Sequence, residues 1–341
     1  MGYKAEKEKM EKLSKRFKII LLCILLLCLV GGCVFSFFVP PGTWKYKVAL
    51  PDVCKREEGE LRVHFIDVGQ GDATLVEFPD NKVMLVDGGD GSSKAKRSLL
   101  RYMNALKIDK INDLVLTHSD ADHCGGLTEV LKHKTVFNAY LPPSFPENGT
   151  KYAEFYTKLF KTDCNVYFTS RLIKFSCQSQ AEFIYPYSVQ CLYPYSKMVE
   201  DILAGEKEIA NTNKASSVLY LEYAGVKVLL MGDAPQSVEE KIMMDDEVGA
   251  WANLGVSLQG VSVLKLSHHG SSTASSLQFL QYLGVKEGII SCGKDNLYGH
   301  PADETLGRLA QVKANVHRTD VHSNVVLTIT KGGQYSIDYV A

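Results

Sequence analysis

The 341-residue chain is 45% hydrophobic, enough to build one large buried core or two small ones. Its 38 Lys and Arg almost cancel its 39 Asp and Glu, so no overall basic character points to a broad nucleic-acid-binding face. The charge is uneven: residues 1–18 hold seven basic groups and three acids, which leaves 31 basic against 36 acidic residues in a mildly acidic remainder.

Residues 19–39 form an uninterrupted run of 21 uncharged, mostly apolar residues. At about 1.5 Å per helical residue this matches a hydrocarbon core of about 30 Å, so a single transmembrane helix is expected. The basic segment 1–18 precedes it, which by the positive-inside rule leaves the N-terminus cytoplasmic and everything after Pro40 outside. A cleaved signal peptide is one rival, but its apolar core is typically about 7–15 residues and no A-x-A-like site follows. A second is lipoprotein processing at Cys33, within Leu29-Val30-Gly31-Gly32-Cys33. Against it, Val34 to Val39 stays apolar where a mature lipoprotein turns polar. An uncleaved anchor is the favoured reading.

Residues 40–60, broken by Pro40-Pro41-Gly42, Pro51 and a charged run, read as a linker. From Leu61 the pattern turns β-rich, with strands at 61–67, 73–78 and 82–87 between Gly and Pro-Asp-Asn turns. Leu99, Leu100, Met103 and Leu106 give 93–107 helical spacing. The strand 113–117 and a helix to about Lys134 follow, and 142–196, rich in aromatics and Pro, reads as strands and loops at one edge. A second set begins with a hairpin, 217–223 and 226–233, turned at Ala224-Gly225. Helices at 235–248, 275–283 and 303–313 then alternate with strands at 261–267 and 288–292, before two final strands. Two such sets suit two sheets covered by helices on their outer sides, an αββα sandwich over 61–341.

Nine cysteines form no C-x-x-C pair, which argues against a structural zinc ribbon. Cys164, Cys177 and Cys191 lie close enough in sequence for disulfides, but spacing assigns no pairs. Cys124 could be a ligand, though a small side chain packed behind its loop is the plainer reading.

Chemistry collects where strands end. Thr117-His118-Ser119-Asp120-Ala121-Asp122-His123 offers two imidazole nitrogens and two carboxylates directly after an apolar strand, and can serve two divalent ions. An N-capping Asp would explain one acid, but not two acids and two histidines. Met231-Gly232-Asp233, Leu264 to Ser271 with His268 and His269, and Ser291 to Pro301 with His300 close further strands. Five of the nine histidines sit in such loops, which favours one shared site.

Phe65 to Ala73 (FIDVGQGDA), Leu85-Val86-Asp87-Gly88-Gly89, THSDADHCGG, LLMGDA, LKLSHHGS and the Gly299-His300-Pro301 loop together resemble the metallo-β-lactamase superfamily. More narrowly they are similar to the exported hydrolase domain of ComEC-type competence proteins, in family order across 61–341. ComEC carries a multi-helix channel besides, which one apolar span cannot form.

The resemblance implies a binuclear site. His118 and Asp120 would hold one ion, Asp120 standing where many members have His. Asp122, His123 and His268 would hold the other, with Asp233 between them and Asp87 behind a ligand His. The third His that many relatives give the first ion has no counterpart, and Asn213 or Ser217 falls near its place. Such an oxygen-rich site favours Mn²⁺ more than three histidines would, with Zn²⁺ open at both positions. Asp122, His300 and Asn296 are candidates for the chemistry, and Gln70, Asp72, His269 and Lys294 for contact with substrate. Asn296 could instead only stabilise a turn, Lys294 only face solvent and Asp72 only cap backbone.

The expected function is a membrane-anchored, extracytoplasmic, metal-dependent phosphodiesterase with DNA as leading substrate. An esterase of cell-surface phosphodiesters, of the teichoic acid phosphorylcholine type, is the alternative enzyme. A metal-poor, membrane-tethered binding module is the alternative outside catalysis. Asp120 weighs against a lactam-cleaving enzyme.

Overall fold

The computed structural model describes residues 2–38, 41–171, 173–176, 185–206 and 211–341. They form two compact units, Met1–Ala49 and Leu50–Ala341. Cys177, one of three cysteines considered for pairing, lies outside the described residues, as do Val39 and Pro40.

The first unit is a long helix, α1 (Gly2–Phe38), followed by the short α2 (Pro41–Trp44). Lys and Glu are good helix formers, so the helix runs through the basic segment instead of starting at residue 19. Its stretch Leu13–Phe37, 25 residues, is a candidate membrane span by length and composition. Its Leu, Ile and Phe side chains stand exposed, which water would penalise. The expected linker is not featureless. Trp44 of α2 brings its ring to 5.2 Å from that of Phe35, and residues 50–60 are tied to the larger unit. There Arg62 Nη1 donates to Cys54 O at 2.6 Å, and the Tyr223 hydroxyl donates to Gly59 O at 2.5 Å.

In the larger unit β1 (Leu61–Phe65), β2 (Thr74–Glu77) and β3 (Val83–Val86) pair antiparallel. Helix α3 (Ser93–Ala105) crosses to β4 (Lys110–Val115), which lies parallel to β3. The one-turn α4 (Ala121–Cys124) and α5 (Leu127–His133) cross to β5 (Thr135–Leu141), and α6 (Lys151–Leu159) to β6 (Asn165–Phe168). A second sheet opens with β7 (Lys174–Ser176), β8 (Tyr187–Tyr193) and, after α7 (Ser196–Leu203), β9 (Val218–Tyr223) and β10 (Val226–Leu230). Then α8 (Gln236–Glu247), β11 (Val263–Lys265), α9 (Leu277–Leu283), β12 (Glu287–Ile290), α10 (Asp303–Gln311) and β13 (Asn315–Arg318) alternate, the strands parallel. A turn of helix, α11 (Thr319–His322), leads to β14 (Asn324–Ile329) and β15 (Tyr335–Val340).

Strand order is β15-β14-β1-β2-β3-β4-β5-β6 in one sheet and β13-β12-β11-β10-β9-β8-β7 in the other. Side-chain alternation puts Leu61, Val63 and Phe65 of β1 in a core between the sheets with Leu219, Leu221, Val228 and Leu230. His64, on the opposite face of β1, meets the Tyr102 hydroxyl of α3 at 2.9 Å. On the second sheet the outward Val218, Tyr220 and Leu229 pack with Val238 and Ile242 of α8. Two sheets face to face with helices outside make an αββα sandwich, as expected.

The two sets are not confined to their own sheets. The last hairpin returns to the first sheet, where β14 pairs with β1 in the register Leu61↔Ile329. The stretch 142–196, expected to hold only strands and loops, also holds α6. Tyr152, Phe155 and Leu159 bury one face of that helix, and Thr150 Oγ1 caps it by accepting from Ala153 N at 3.1 Å. Strands β5 and β13 had no sequence expectation.

Parallel strands align the carboxyl ends of β3 and β4 and those of β10, β11 and β12, where loops can hold ligands. Close backbone approach fixes one such loop. Gly71, at φ +118°, has no room for a Cβ, which would overlap the Asp122 carbonyl oxygen. Gly71→Ala should therefore lower stability by more than about 1 kcal/mol. Gly307→Ala, inside α10 with nothing within 4 Å of the added carbon, should raise it by about 0.4–1 kcal/mol. Thermal melts of the two variants check the opposite signs.

Candidate metal centre

The loop after β4 carries His118, Asp120, Asp122 and His123, and α4 begins within it. The loop after β10 carries Asp233, whose N–H donates to Ser216 Oγ at 2.9 Å. After β11, His268 (φ 50°, ψ 47°) and His269 (φ 54°, ψ 23°) both adopt left-handed backbone. Two such non-glycine residues in succession are strained, a cost typical of sites where geometry is imposed by surrounding packing.

Asp233 lies at the middle. Its Oδ1 is 3.3 Å from His123 Nε2, and its Oδ2 is 3.7 Å from His118 Nε2, 3.7 Å from His269 Nε2 and 3.8 Å from His268 Nε2. Asp120 Oδ2 stands 3.7 Å from His118 Nε2, and Asp122 Oδ2 3.2 Å from His269 Nε2. His118, His123, His269 and Asp233 are buried. Asp120, Asp122 and His268, with side chains 43%, 29% and 31% exposed, face the opening.

Backbone and carboxylate partners orient the rings. Asp87 Oδ2 lies 2.8 Å from His123 Nδ1 and also accepts from the Thr117 hydroxyl at 2.7 Å, while Oδ1 accepts from Thr117 N at 2.8 Å. His269 Nδ1 faces the Ser291 carbonyl at 3.0 Å. Each ring is thus anchored through Nδ1 and turns Nε2 toward the centre, as metal-ligating histidines do.

The electrostatics demand cations. Asp72, Asp87, Asp120, Asp122 and Asp233 belong to the site, and of these Asp72 has a lysine partner, Lys265, whose Nζ donates to Asp72 Oδ2 at 2.8 Å in a buried pair. Burial opposes ionisation of Asp72, Asp122 and Asp233, yet neighbouring imidazoles, and Lys265 for Asp72, hold all three below the usual carboxylate range. Burial likewise opposes charge on His123 and His269, but Asp233 and the adjoining acids raise both. His118 is lowered, by burial and then by the charge of His123. Protons on imidazole thus balance the acids, and a divalent ion can take their place. His118 Nε2, His123 Nε2 and Asp233 Oδ1 are buried without hydrogen-bond partners, which fits an N/O donor set for such an ion.

Other sequence candidates take different places. His269, expected to touch substrate, is buried in the cluster with Asp72, His123 and Asp233. Asp72, also expected to touch substrate, is buried beside His269, with its Oδ1 3.6 Å from His269 Nδ1. Ser217 turns away and donates to Thr169 Oγ1 at 2.8 Å; its neighbour Ser216 approaches His118 Nδ1 at 3.5 Å instead. Thr212, not Asn213, reaches the ligand loop, donating to Asp120 Oδ1 at 2.5 Å. Asn296 uses its whole amide on backbone. Its Nδ2 donates to Gly293 O at 2.9 Å and His300 O at 2.6 Å, and its Oδ1 accepts from Tyr298 N at 3.1 Å and His300 N at 3.0 Å. It organises the loop and has no donor left for substrate. Gln70 Oε1 accepts from Gly293 N at 3.2 Å, fastening that loop to the glycine turn. Lys294 is exposed, and the His300 ring centroid lies 5.4 Å from that of His268. Burial pushes the Cys124 thiol up to about 12, which suits a packing residue and not a thiolate ligand.

Lys265 escaped sequence reading, although a lysine amid the apolar Val261 to Leu266 was a visible signal of a buried charge with a partner. Asp87→Asn should loosen His123 and weaken divalent-ion binding by about 10–100-fold, as measured by calorimetric titration of the metal-free chain.

The sequence profile of the Metallo-beta-lactamase superfamily matches residues 66–294. ComE operon protein 3 of Bacillus subtilis (strain 168) is 28% identical over 288 residues, 80% of this chain and 33% of that protein. Competence protein ComA of Neisseria gonorrhoeae is 27% identical over 276 residues, covering 81% and 33%. Recombination protein 2 of Haemophilus influenzae is 26% identical over 322 residues, covering 93% and 32%. This chain therefore spans about a third of the length of these curated relatives. The loops that carry His118, Asp120, Asp122, His123, Asp233, His268 and His269 fall inside the matched region, and the chain belongs to the metallo-β-lactamase superfamily.

Proposed function

We propose that the chain is a membrane-anchored, metal-dependent phosphodiesterase that cleaves DNA. The observation that carries the hydrolase reading is the buried set of imidazole nitrogens that converge on the Asp233 carboxylate. Similarity to competence and recombination proteins supports DNA as substrate. The basic residues ahead of Ile19 support an N-terminus inside the cell and a catalytic unit outside it.

In this reading His118 and Asp120 would hold one ion and Asp122, His123 and His269 the other, with Asp233 as a further ligand. His269 replaces His268 in this set because its ring is buried and anchored through Nδ1. Zn²⁺ and Mn²⁺ both suit the nitrogen and oxygen donors. When bound, the two ions supply Lewis acidity and lower the pKa of a water. The residues of the chain do the rest. Asp87 and the Ser291 carbonyl fix the rings, and Asp72 and Lys265 fill the space behind His269. His268 and His300, at the opening, are placed to hydrogen-bond phosphoryl oxygens.

Asp122→Ala should abolish hydrolysis of bis(4-nitrophenyl) phosphate by the metal-loaded chain, and retained turnover would sink the assignment. Labelled single- and double-stranded DNA incubated with Mn²⁺, Zn²⁺ or Mg²⁺ tests the substrate. No DNA cleavage beside turnover of the chromogenic diester would shift the reading to an esterase of cell-surface phosphodiesters. Fewer than about one ion per folded chain would mark a non-catalytic binding module instead.

A further inference from the structure

The loop after β12 ends in a feature that the hydrolytic residues do not use. Leu297 is fully exposed and the Tyr298 side chain is 69% exposed, side by side at the loop tip. The loop beneath them is fixed. Asn296 spends both donors and its acceptor oxygen on the backbone of Gly293, Tyr298 and His300, and Gly293 is fastened to Gln70. The Tyr298 ring lies 5.9 Å from the His300 ring at an interplanar angle of 23°, and the His300 ring stands 5.4 Å from that of His268 beside Asp233. A row of rings therefore leads from the centre outward to a rim that holds an aromatic face in water. Lys294 and Asp295, both exposed on the same loop, cancel in charge, so the aromatic face is what this rim offers.

We infer that Tyr298, flanked by Leu297, is a stacking platform for the nucleobase next to the phosphodiester being cleaved, which makes single-stranded DNA the preferred substrate. The inference rests on the phosphodiesterase reading above and names the form of nucleic acid that its site takes. Any base offers a π-face, so an exposed ring binds single strands with little regard to sequence. A base within a duplex is already stacked on its neighbours and can reach the platform only by leaving the stack. A preformed platform also avoids the entropy of ordering a mobile side chain when the strand arrives.

The test uses the full chain in detergent and fluorescein-labelled 12-mers with phosphorothioate linkages, so that binding is read by anisotropy without cleavage. The strands are oligothymidine, the same backbone with abasic residues, and a duplex. The wild type should bind oligothymidine about ten-fold or more tighter than the abasic strand, Tyr298→Ala should remove that difference, and Tyr298→Trp should keep it. Duplex should bind more weakly than oligothymidine. Equal binding of base-bearing and abasic strands by the wild type, or a preference that survives Tyr298→Ala, overturns the inference. Hydrolysis of bis(4-nitrophenyl) phosphate is measured beside it. If the loaded wild type cleaves no diester yet shows Tyr298-dependent binding, the hydrolase reading fails and the platform stands. If it cleaves diesters without that dependence, the platform fails alone.

Discussion

Buried negative charge without a matching permanent cation is the constraint on which the rest of this molecule depends. Asp87 and Asp233 lie in the interior beside Asp72, and only Asp72 has a lysine partner. Leaving such carboxylates ionised and uncompensated costs several kcal/mol each. The chain surrounds them with imidazoles, whose charge can be supplied by protons or surrendered to metal. That choice of counter-charge leaves the interior receptive to an ion.

The scaffold has to hold these groups despite local strain. Consecutive left-handed histidines, a left-handed Asp87 and a glycine pressed against the Asp122 carbonyl sit at the ends of strands that are themselves firmly packed. The inter-sheet core of Leu, Val, Ile and Phe supplies the rigidity. Loops that join well-packed strands can be distorted, because the loss is spread over a core far larger than the site.

Much of this was legible in the residues. Short β-rich runs between Gly and Pro turns marked the main strands, and the clustering of His and Asp behind them marked the centre. The boundary cases were lost for physical reasons. The face of α6 is marked by Tyr152 and Phe155, aromatic residues that suit strands as well as helices, so its spacing was masked. His268 and His269 are neighbours in sequence, and only the strained turn decides which ring is buried. Ser216 and Ser217 differ in the same way: a one-residue step reverses the side on which a hydroxyl lands. Asn296 looked like a donor because residue type says nothing about which hydrogen bonds a loop has already consumed.

The return of β14 to β1 carries a consequence for synthesis. Strand β1, among the first residues of the larger unit to be made, has β14 as one of its two neighbours, and Asp67 N donates to Asn324 Oδ1 at 2.9 Å across 257 positions. Contacts so distant in sequence form late and slow folding. A nascent chain that ends before Asn324 leaves one edge of β1 open, even though every residue of the His and Asp cluster has already been made. Completion of the chain is thereby built into the assembly of its interior, and a truncated product carries the ligands without the finished sheet that aligns them.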